Sequence, residues 1–266
     1  MSSTEVHLVE VNWQGRTDQI ETQWLRRELS EQPLLVFLHE GLGSRTMWKD
    51  FPAQLCATLG CRGLVFSRQG YGLSTPRRPD EKWSVNFMHR QAQDFLPAYF
   101  QVLGLDTAND RPWLFGHSDG GSIALLHAAA YPERVAGAVV AAPHLFVERL
   151  TVASIAQTRV TYLNTDLSQK LARYHADVDS AFWGWNDIWL DPAFMAWNIE
   201  AELCKIRCPL MAIQGYDDEY GTMAQIDNIA RQLPATQLLK LALCGHSPHR
   251  DQPAAVMEAM LAFMRR

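Results

Sequence analysis

Polar and apolar residues alternate at period two through EVHLVEVNWQGRTDQIETQWL, on either side of Gly15. That alternation predicts an antiparallel hairpin. The next apolar stretch, PLLVFLHE, hardly alternates at all. Near-continuous hydrophobicity of this length marks a strand covered on both faces, as in a parallel sheet. A helix is expected over 46–59, then a short strand and a glycine-rich loop in GLVFSRQGYGLS. Residues 86–103 carry a helical pattern that Pro97 should kink or interrupt. RPWLFGHS reads as a strand, DGGSIALLHAAAYP as a helix stopping near Pro132, and VAGAVVAAP as a further buried strand. CPLMAIQG and TQLLKLAL add two more strands around a helical stretch at 221–233. QPAAVMEAMLAFMRR closes the chain as an amphipathic helix whose basic end suits the helix dipole.

Strand and helix alternate throughout, except at 144–204, which read as helical and contain Trp183, Trp185, Trp189 and Trp197. The alternation predicts an α/β fold with a doubly wound, mostly parallel sheet. The break predicts an inserted helical cap at 144–204, with the core formed by 1–143 and 205–266. Ligands of such sheets bind outside the carboxyl ends of the strands, where a cap would roof them.

Composition narrows the function classes. The 266 residues are 47% hydrophobic and 20% charged, with 24 basic against 29 acidic side chains and a net charge of −5. No long basic run suggests nucleic acid or an anionic membrane surface, and no apolar run approaches a membrane span. Five scattered cysteines favour a reducing compartment over a disulfide framework. Cys204 and Cys208 lack the second pair that a zinc site needs. MSSTEVHLVEVNW has no basic region followed by an apolar core, so no secretory signal is expected. The expectation is a cytoplasmic protein acting on a small molecule, without nucleic acid, membrane or metal; a homodimer stays open.

The candidate chemistry lies in WLFGHSDGGS, where a buried strand turns sharply into a helix at Ser118. A G-x-S-x-G turn in that context holds serine in a strained conformation above the sheet, while small flanking residues let strand and helix approach. The amide of Asp119 then points to the same spot from the helix N-terminus. A serine hydroxyl needs a base, and a histidine base needs a carboxylate. Of nine histidines, His246 follows the last strand and is preferred over His249. His117 is expected to pack locally, His39 to be structural, and His144 to line the pocket. The carboxylate should follow PLMAIQG, where Asp218 is the choice and Asp217 the alternative. A second oxyanion amide is expected in FLHEGLGS, from Gly41 or else Leu42.

FLHEGLGS, SRQGYGLS, GHSDGG, IQGYDDE and CGH occur in the order and contexts of the alpha/beta-hydrolase superfamily, which the chain resembles nearly throughout apart from the cap. The resemblance implies Ser118 as nucleophile, Asp218 as acid and His246 as base. It departs at Glu40, where many relatives have glycine. A carboxylate facing an anionic transition state would be unfavourable, so Glu40 should point away or be paired, with Arg45 as the expected partner. The Asp119 side chain raises the same issue, and only its amide should serve. A serine nucleophile argues against the dehalogenases and epoxide hydrolases of this fold, which use aspartate.

The expected reaction is hydrolysis of an ester or thioester through an acyl-enzyme, without a cofactor. The cap tryptophans, Trp183 and Trp185 foremost, with Phe182, Phe194 and Met195, suggest a small apolar or aromatic-containing substrate. The same aromatics also suit a cap core. Two rival readings remain: carbon–carbon hydrolysis of a diketone-like substrate, as in capped relatives with the same triad, and a ligand-binding protein with slow or no turnover.

Overall fold

Two-residue alternation becomes a hairpin of Val6–Trp13 (β1) and Arg16–Leu25 (β2), paired antiparallel with Trp13 opposite Arg16. Gln14 and Gly15 turn between them with φ of 47° and 74°, the double positive φ that a tight hairpin turn matches to strand twist. The structure is a computed structural model that describes residues 5–265. Residues 1–4, at the head of the segment read for a signal, and Arg266, the end of the expected terminal helix, lie outside them.

The apolar runs become Leu34–Leu38 (β3), Arg62–Phe66 (β4), Trp113–His117 (β5), Gly137–Ala141 (β6), Leu210–Gly215 (β7) and Gln237–Leu241 (β8). They form one sheet in the order β1-β2-β4-β3-β5-β6-β7-β8. Pairing is parallel from β4 to β8 and antiparallel at β1 and β2. The fold is therefore the doubly wound, mostly parallel α/β sheet that the alternation predicts.

The helices are Phe51–Leu59 (α1), Phe87–Arg90 (α2), Leu96–Val102 (α3), Asp119–Ala130 (α4), Arg149–Asn164 (α5), Leu167–Leu171 (α6), Val178–Trp189 (α7), Ala224–Gln232 (α8), Pro248–Asp251 (α9) and Pro253–Met264 (α10). Side chains of β3 divide by parity. Leu34, Val36 and Leu38 join one core with α2, α3, α4 and α7, while Leu35 and Phe37 join the other with α1 and α10. Phe37, Phe115 and Trp48 meet in that second core with centroids 5.7 to 5.9 Å apart. Each such side chain contributes about 2–3 kcal/mol by burial.

Pro97 does not break its helix. A π-helical turn at Gln91–Phe95 joins α2 to α3, and Pro97 falls in the first turn of α3. The carbonyl of Gln93, which a residue with an N–H at 97 would bond, accepts instead from the Tyr131 hydroxyl at 2.7 Å. The Ala92 carbonyl accepts from His127 Nδ1–H at 2.7 Å. The end of α4 thus satisfies carbonyls that the proline and the wide turn leave free.

Residues 149–205, between β6 and β7, are helices and 3₁₀ turns and add no strand to the sheet. The chain leaves β3 toward β4 on one side and returns at β5 on the other. Strand order reverses there, and a crevice is expected at the carboxyl ends of β3 and β5.

Candidate active site

The crevice takes its shape from the turn after β5. Ser118 has φ 54° and ψ −121°, a strained conformation for a residue with a side chain. Its amide donates to the Ala141 carbonyl at 2.9 Å, and its carbonyl accepts from Gly121 and Ser122, so the strain is held from both sides. A Cβ at Gly116 would collide with the Gly120 carbonyl, and one at Gly120 with the Leu38 carbonyl. The two glycines are there because strand, helix and neighbouring strand touch through their backbones.

The structure brings the three expected side chains together. His246 Nε2 lies 2.9 Å from Ser118 Oγ, and His246 Nδ1 lies 2.8 and 3.0 Å from the two oxygens of Asp218. Asp218 Oδ1 also accepts from the amides of Tyr220 and Gly221, and Oδ2 from Gln214 Nε2. Asp218 is buried, whereas Asp217 is exposed. Burial pushes the Asp218 carboxyl up, but the hydrogen bond and charge of His246 and the Tyr220 amide outweigh it, and the net shift is downward. Burial likewise lowers His246, and the Asp218 bond and charge more than restore it, so its basicity is raised.

Two amides border the nucleophile. Gly41 and Asp119 both line the cavity at Ser118. Among the described residues, neither amide donates to a backbone carbonyl of a turn or loop. The side chain of Asp119 turns away from that spot. Its Oδ1 accepts from Trp189 Nε1–H at 3.2 Å, and Oδ2 faces Arg68 at 3.8 Å. Burial raises this carboxyl, partly offset by Arg68 and Trp189.

Glu40 is paired, but not with the expected partner. Arg45 donates to Glu21 at 2.9 Å and to Gln23 at 2.8 Å, on the hairpin side. Glu40 Oε2 instead lies 3.3 Å from His117 Nδ1. Arg45 sits in a 3₁₀ turn held by Ser67 and β2, whereas His117 ends the strand beside Glu40. His117, expected to bond locally, in fact reaches across the site: its Nε2–H donates to the backbone carbonyl of His246 at 2.7 Å. His39 is structural, with Nδ1–H on the Glu40 carbonyl and Nε2 accepting from the Arg68 amide. His249 is buried against Trp48, Phe51 and His117.

The cavity beside Ser118 has a volume of about 120 Å³. His144, Trp185 and the cap tryptophan Trp189 line it, and so do Thr151, Ile155 and Tyr220, which the sequence pattern did not mark. Trp183 does not line it. It packs edge-on against Tyr162 and Phe182 beneath the Arg159 guanidinium. The reason is helical phase: 185 and 189 share a face of α7, while 183 is about 200° round from 185. Phe182 stacks on Tyr162 at 3.6 Å, Phe194 packs between Trp189 and Trp197, and Met195 is exposed. Spacing four apart, at 151/155 and 185/189, is the signal that would have found the lining residues.

Among the described residues, no group of three or more His, Cys, Asp or Glu side chains is arranged to hold a metal ion, and no helix is long and apolar enough to cross a membrane.

A model of the family described as alpha/beta hydrolase matches residues 35–259. Solved structures share the architecture. An esterase from Thermogutta terrifontis superposes with a TM-score of 0.72 at 19% identity, covering 98% of both chains. A structure from work on carboxylesterases of Nitrososphaera gargenis gives 0.77 at 15% identity, over 96% of this chain and 97% of that one. A bromoperoxidase from Bacillus anthracis gives 0.74 at 16% identity, over 98% and 100%. At these identities the likeness is one of fold.

Proposed function

The chain belongs to the alpha/beta hydrolase family, and on that premise we propose that it is a serine hydrolase cleaving a carboxylic ester or thioester of a small apolar or aromatic-containing substrate. The observation that carries this reading is the continuous hydrogen-bond chain from Ser118 through His246 to Asp218 at the strained turn.

In this reading His246 Nε2 takes the proton of Ser118 as Oγ bonds to the substrate carbonyl carbon. The carbonyl oxygen becomes an oxyanion held by the amides of Gly41 and Asp119, a pair of donors of which each is worth about 3–4 kcal/mol in comparable sites. The intermediate collapses, the bond to the leaving oxygen or sulfur breaks, and His246 Nε2–H protonates that atom. Water then repeats the sequence on the acyl-enzyme, with His246 as base, and releases the acid and free Ser118. Asp218 stays ionised throughout and stabilises the imidazolium. The small cavity and its two tryptophans favour a short acyl group.

The test is hydrolysis of p-nitrophenyl acetate and butyrate and of a short acyl thioester by wild-type protein and Ser118→Ala. Turnover that Ser118→Ala abolishes supports the proposal. Turnover that Ser118→Ala retains at the wild-type rate overturns it.

A further inference from the structure

Ser118 Oγ lies between two imidazoles. His246 Nε2 approaches at 2.9 Å, and His144 Nε2 approaches from another side at 3.4 Å, with the ring centroids 5.9 Å apart. We propose that His144 is a fixed hydrogen-bond donor to the reacting oxygen of Ser118, giving Nε2–H to an Oγ lone pair while the hydroxyl proton goes to His246. The inference rests on the serine-hydrolase reading and assigns that reaction a residue outside the triad.

The backbone carrying His144 is built to aim it. β6 runs into Ala142, a non-glycine residue at φ 48°, whose amide is tied to the Ile213 carbonyl at 2.8 Å. Pro143 follows, and then His144 is clamped on both sides of its backbone. Its amide donates to Ser122 Oγ at 3.0 Å, and Ser122 Oγ–H donates to its carbonyl at 2.7 Å. Leu145 N–H donates to Gln225 Oε1 at 2.7 Å. A left-handed alanine persists only where its surroundings over-determine it. The ring it directs is 2% exposed and stands edge-on to Trp189, centroids 4.8 Å apart.

The tautomer follows from what each nitrogen faces. Nδ1 is buried without a hydrogen-bond partner among the described residues. A proton there would be an orphaned donor, which costs more than an idle lone pair. Nε2 faces Ser118 Oγ. That hydroxyl has one proton, committed to His246 Nε2 because His246 Nδ1–H is committed to Asp218. An unprotonated His144 Nε2 would set lone pair against lone pair, or pull the hydroxyl proton away from its base. The ring also stays neutral: burial first, then the nearby His246, lower its basicity, Asp218 opposes them and His117 adds a little, and the result is about 3. It therefore donates but does not compete as a base.

A donor on Oγ acts most when Oγ leaves. In deacylation water adds to the acyl carbon, the carbon–Oγ bond breaks, and charge grows on Oγ before His246 returns a proton to it. His144 Nε2–H faces that charge. Its loss should slow deacylation more than acylation, so that kcat and KM fall together while kcat/KM moves less.

The experiment measures acylation and acyl-enzyme decay separately with p-nitrophenyl acetate, by burst kinetics and intact mass, in wild-type protein, His144→Phe, His144→Gln and His144→Asn. The amide nitrogen of glutamine reaches roughly where Nε2 stands, and that of asparagine only where Nδ1 stands. Expected are decay slowed about tenfold in Phe and Asn, near-wild-type decay in Gln, and an acid limb of kcat/KM unmoved throughout. Decay in His144→Phe within twofold of wild type overturns the inference, as does Gln behaving like Asn. If the Phe variant fails to fold, Gln against Asn decides alone. A wild type that forms no acyl-enzyme sinks the serine-hydrolase reading and this inference with it, an outcome distinct from an unaffected variant of an active enzyme.

Discussion

Glu40 and His117 form a strut between the two loops that complete the site. Glu40 immediately precedes Gly41, and its Oε2 lies 3.3 Å from His117 Nδ1, while His117 Nε2–H donates to the His246 carbonyl at 2.7 Å. One imidazole thus ties the loop after β3 to the loop after β8, directly beside the nucleophile. Burial would raise the Glu40 carboxyl, but the hydrogen bond and charge of His117 outweigh it and hold it well below the usual carboxylate range. Glu40→Gln should therefore cost about 1–3 kcal/mol of stability at pH 7 by leaving His117 without its charged partner. The depressed carboxyl implies a contribution present above its ordinary value and lost as pH falls toward its folded value. Urea denaturation of the variant at pH 7 and pH 4 checks this: the gap from wild type should narrow at the lower pH.

Asp218→Asn should keep the fold and lose the reaction. The amide cannot stabilise the imidazolium and can present a donor to Nδ1, turning the ring toward the wrong tautomer. The expected fall in kcat is about 10³- to 10⁴-fold. In wild-type protein the raised basicity of His246 places the acid limb of kcat/KM above the ordinary histidine value of about 6.5. In the variant, residual activity should extend to lower pH, because the carboxylate that raised His246 is gone. A pH profile of both proteins measures it.

Stability should fall on mild acidification, before the carboxylates titrate. His127 and His144 are buried and neutral, with basicities lowered by burial to about 4 and about 3, and burial lowers His39 and His249 as well. The unfolded chain binds a proton at each below about pH 6.5 and the folded chain does not, so stability rises with pH between those limits. Each group contributes up to about 1.4 kcal/mol per pH unit in that window. The urea midpoint should be clearly lower at pH 5 than at pH 7, and His127→Gln should reduce the difference.

Trp185 sets the cavity's reach. Its indole packs so closely on Gly41 that a Cβ at Gly41 would strike it. Trp185→Ala should lengthen the acyl chain accepted, raising the p-nitrophenyl octanoate to acetate ratio of kcat/KM about tenfold. That corresponds to about 1.4 kcal/mol, within what burying two methylenes gives. Gly41→Ala should do the reverse and depress every substrate. A chain-length series on both variants tests the assignment.

Much of this was legible in the residues. Continuous apolar runs marked the buried strands, and glycines around Ser118 marked the turn, because each signal is local. Strand ends pointed to the pair Asp217 and Asp218 and to His246, since one edge of a parallel sheet gathers them, and burial in the fold separates Asp218 from the exposed Asp217. The Glu40 partner was not legible. Arg45 was the near cation in sequence, but pairing between β3 and β5 puts His117 beside Glu40. Trp183 was misplaced for want of helical phase, which the spacing of Trp185 and Trp189 already contained. Pro97 is tolerated because of a tyrosine and a histidine some thirty residues on, a tertiary repair that no local pattern reports.

The central claim is that Ser118 is an activated nucleophile, and covalent labelling tests it most directly. Wild-type protein treated with a fluorophosphonate should gain one adduct by intact mass, mapped to Ser118, absent in Ser118→Ala and strongly slowed in His246→Ala. Folded wild-type protein that takes up no adduct, or takes it up at another residue, would contradict the account.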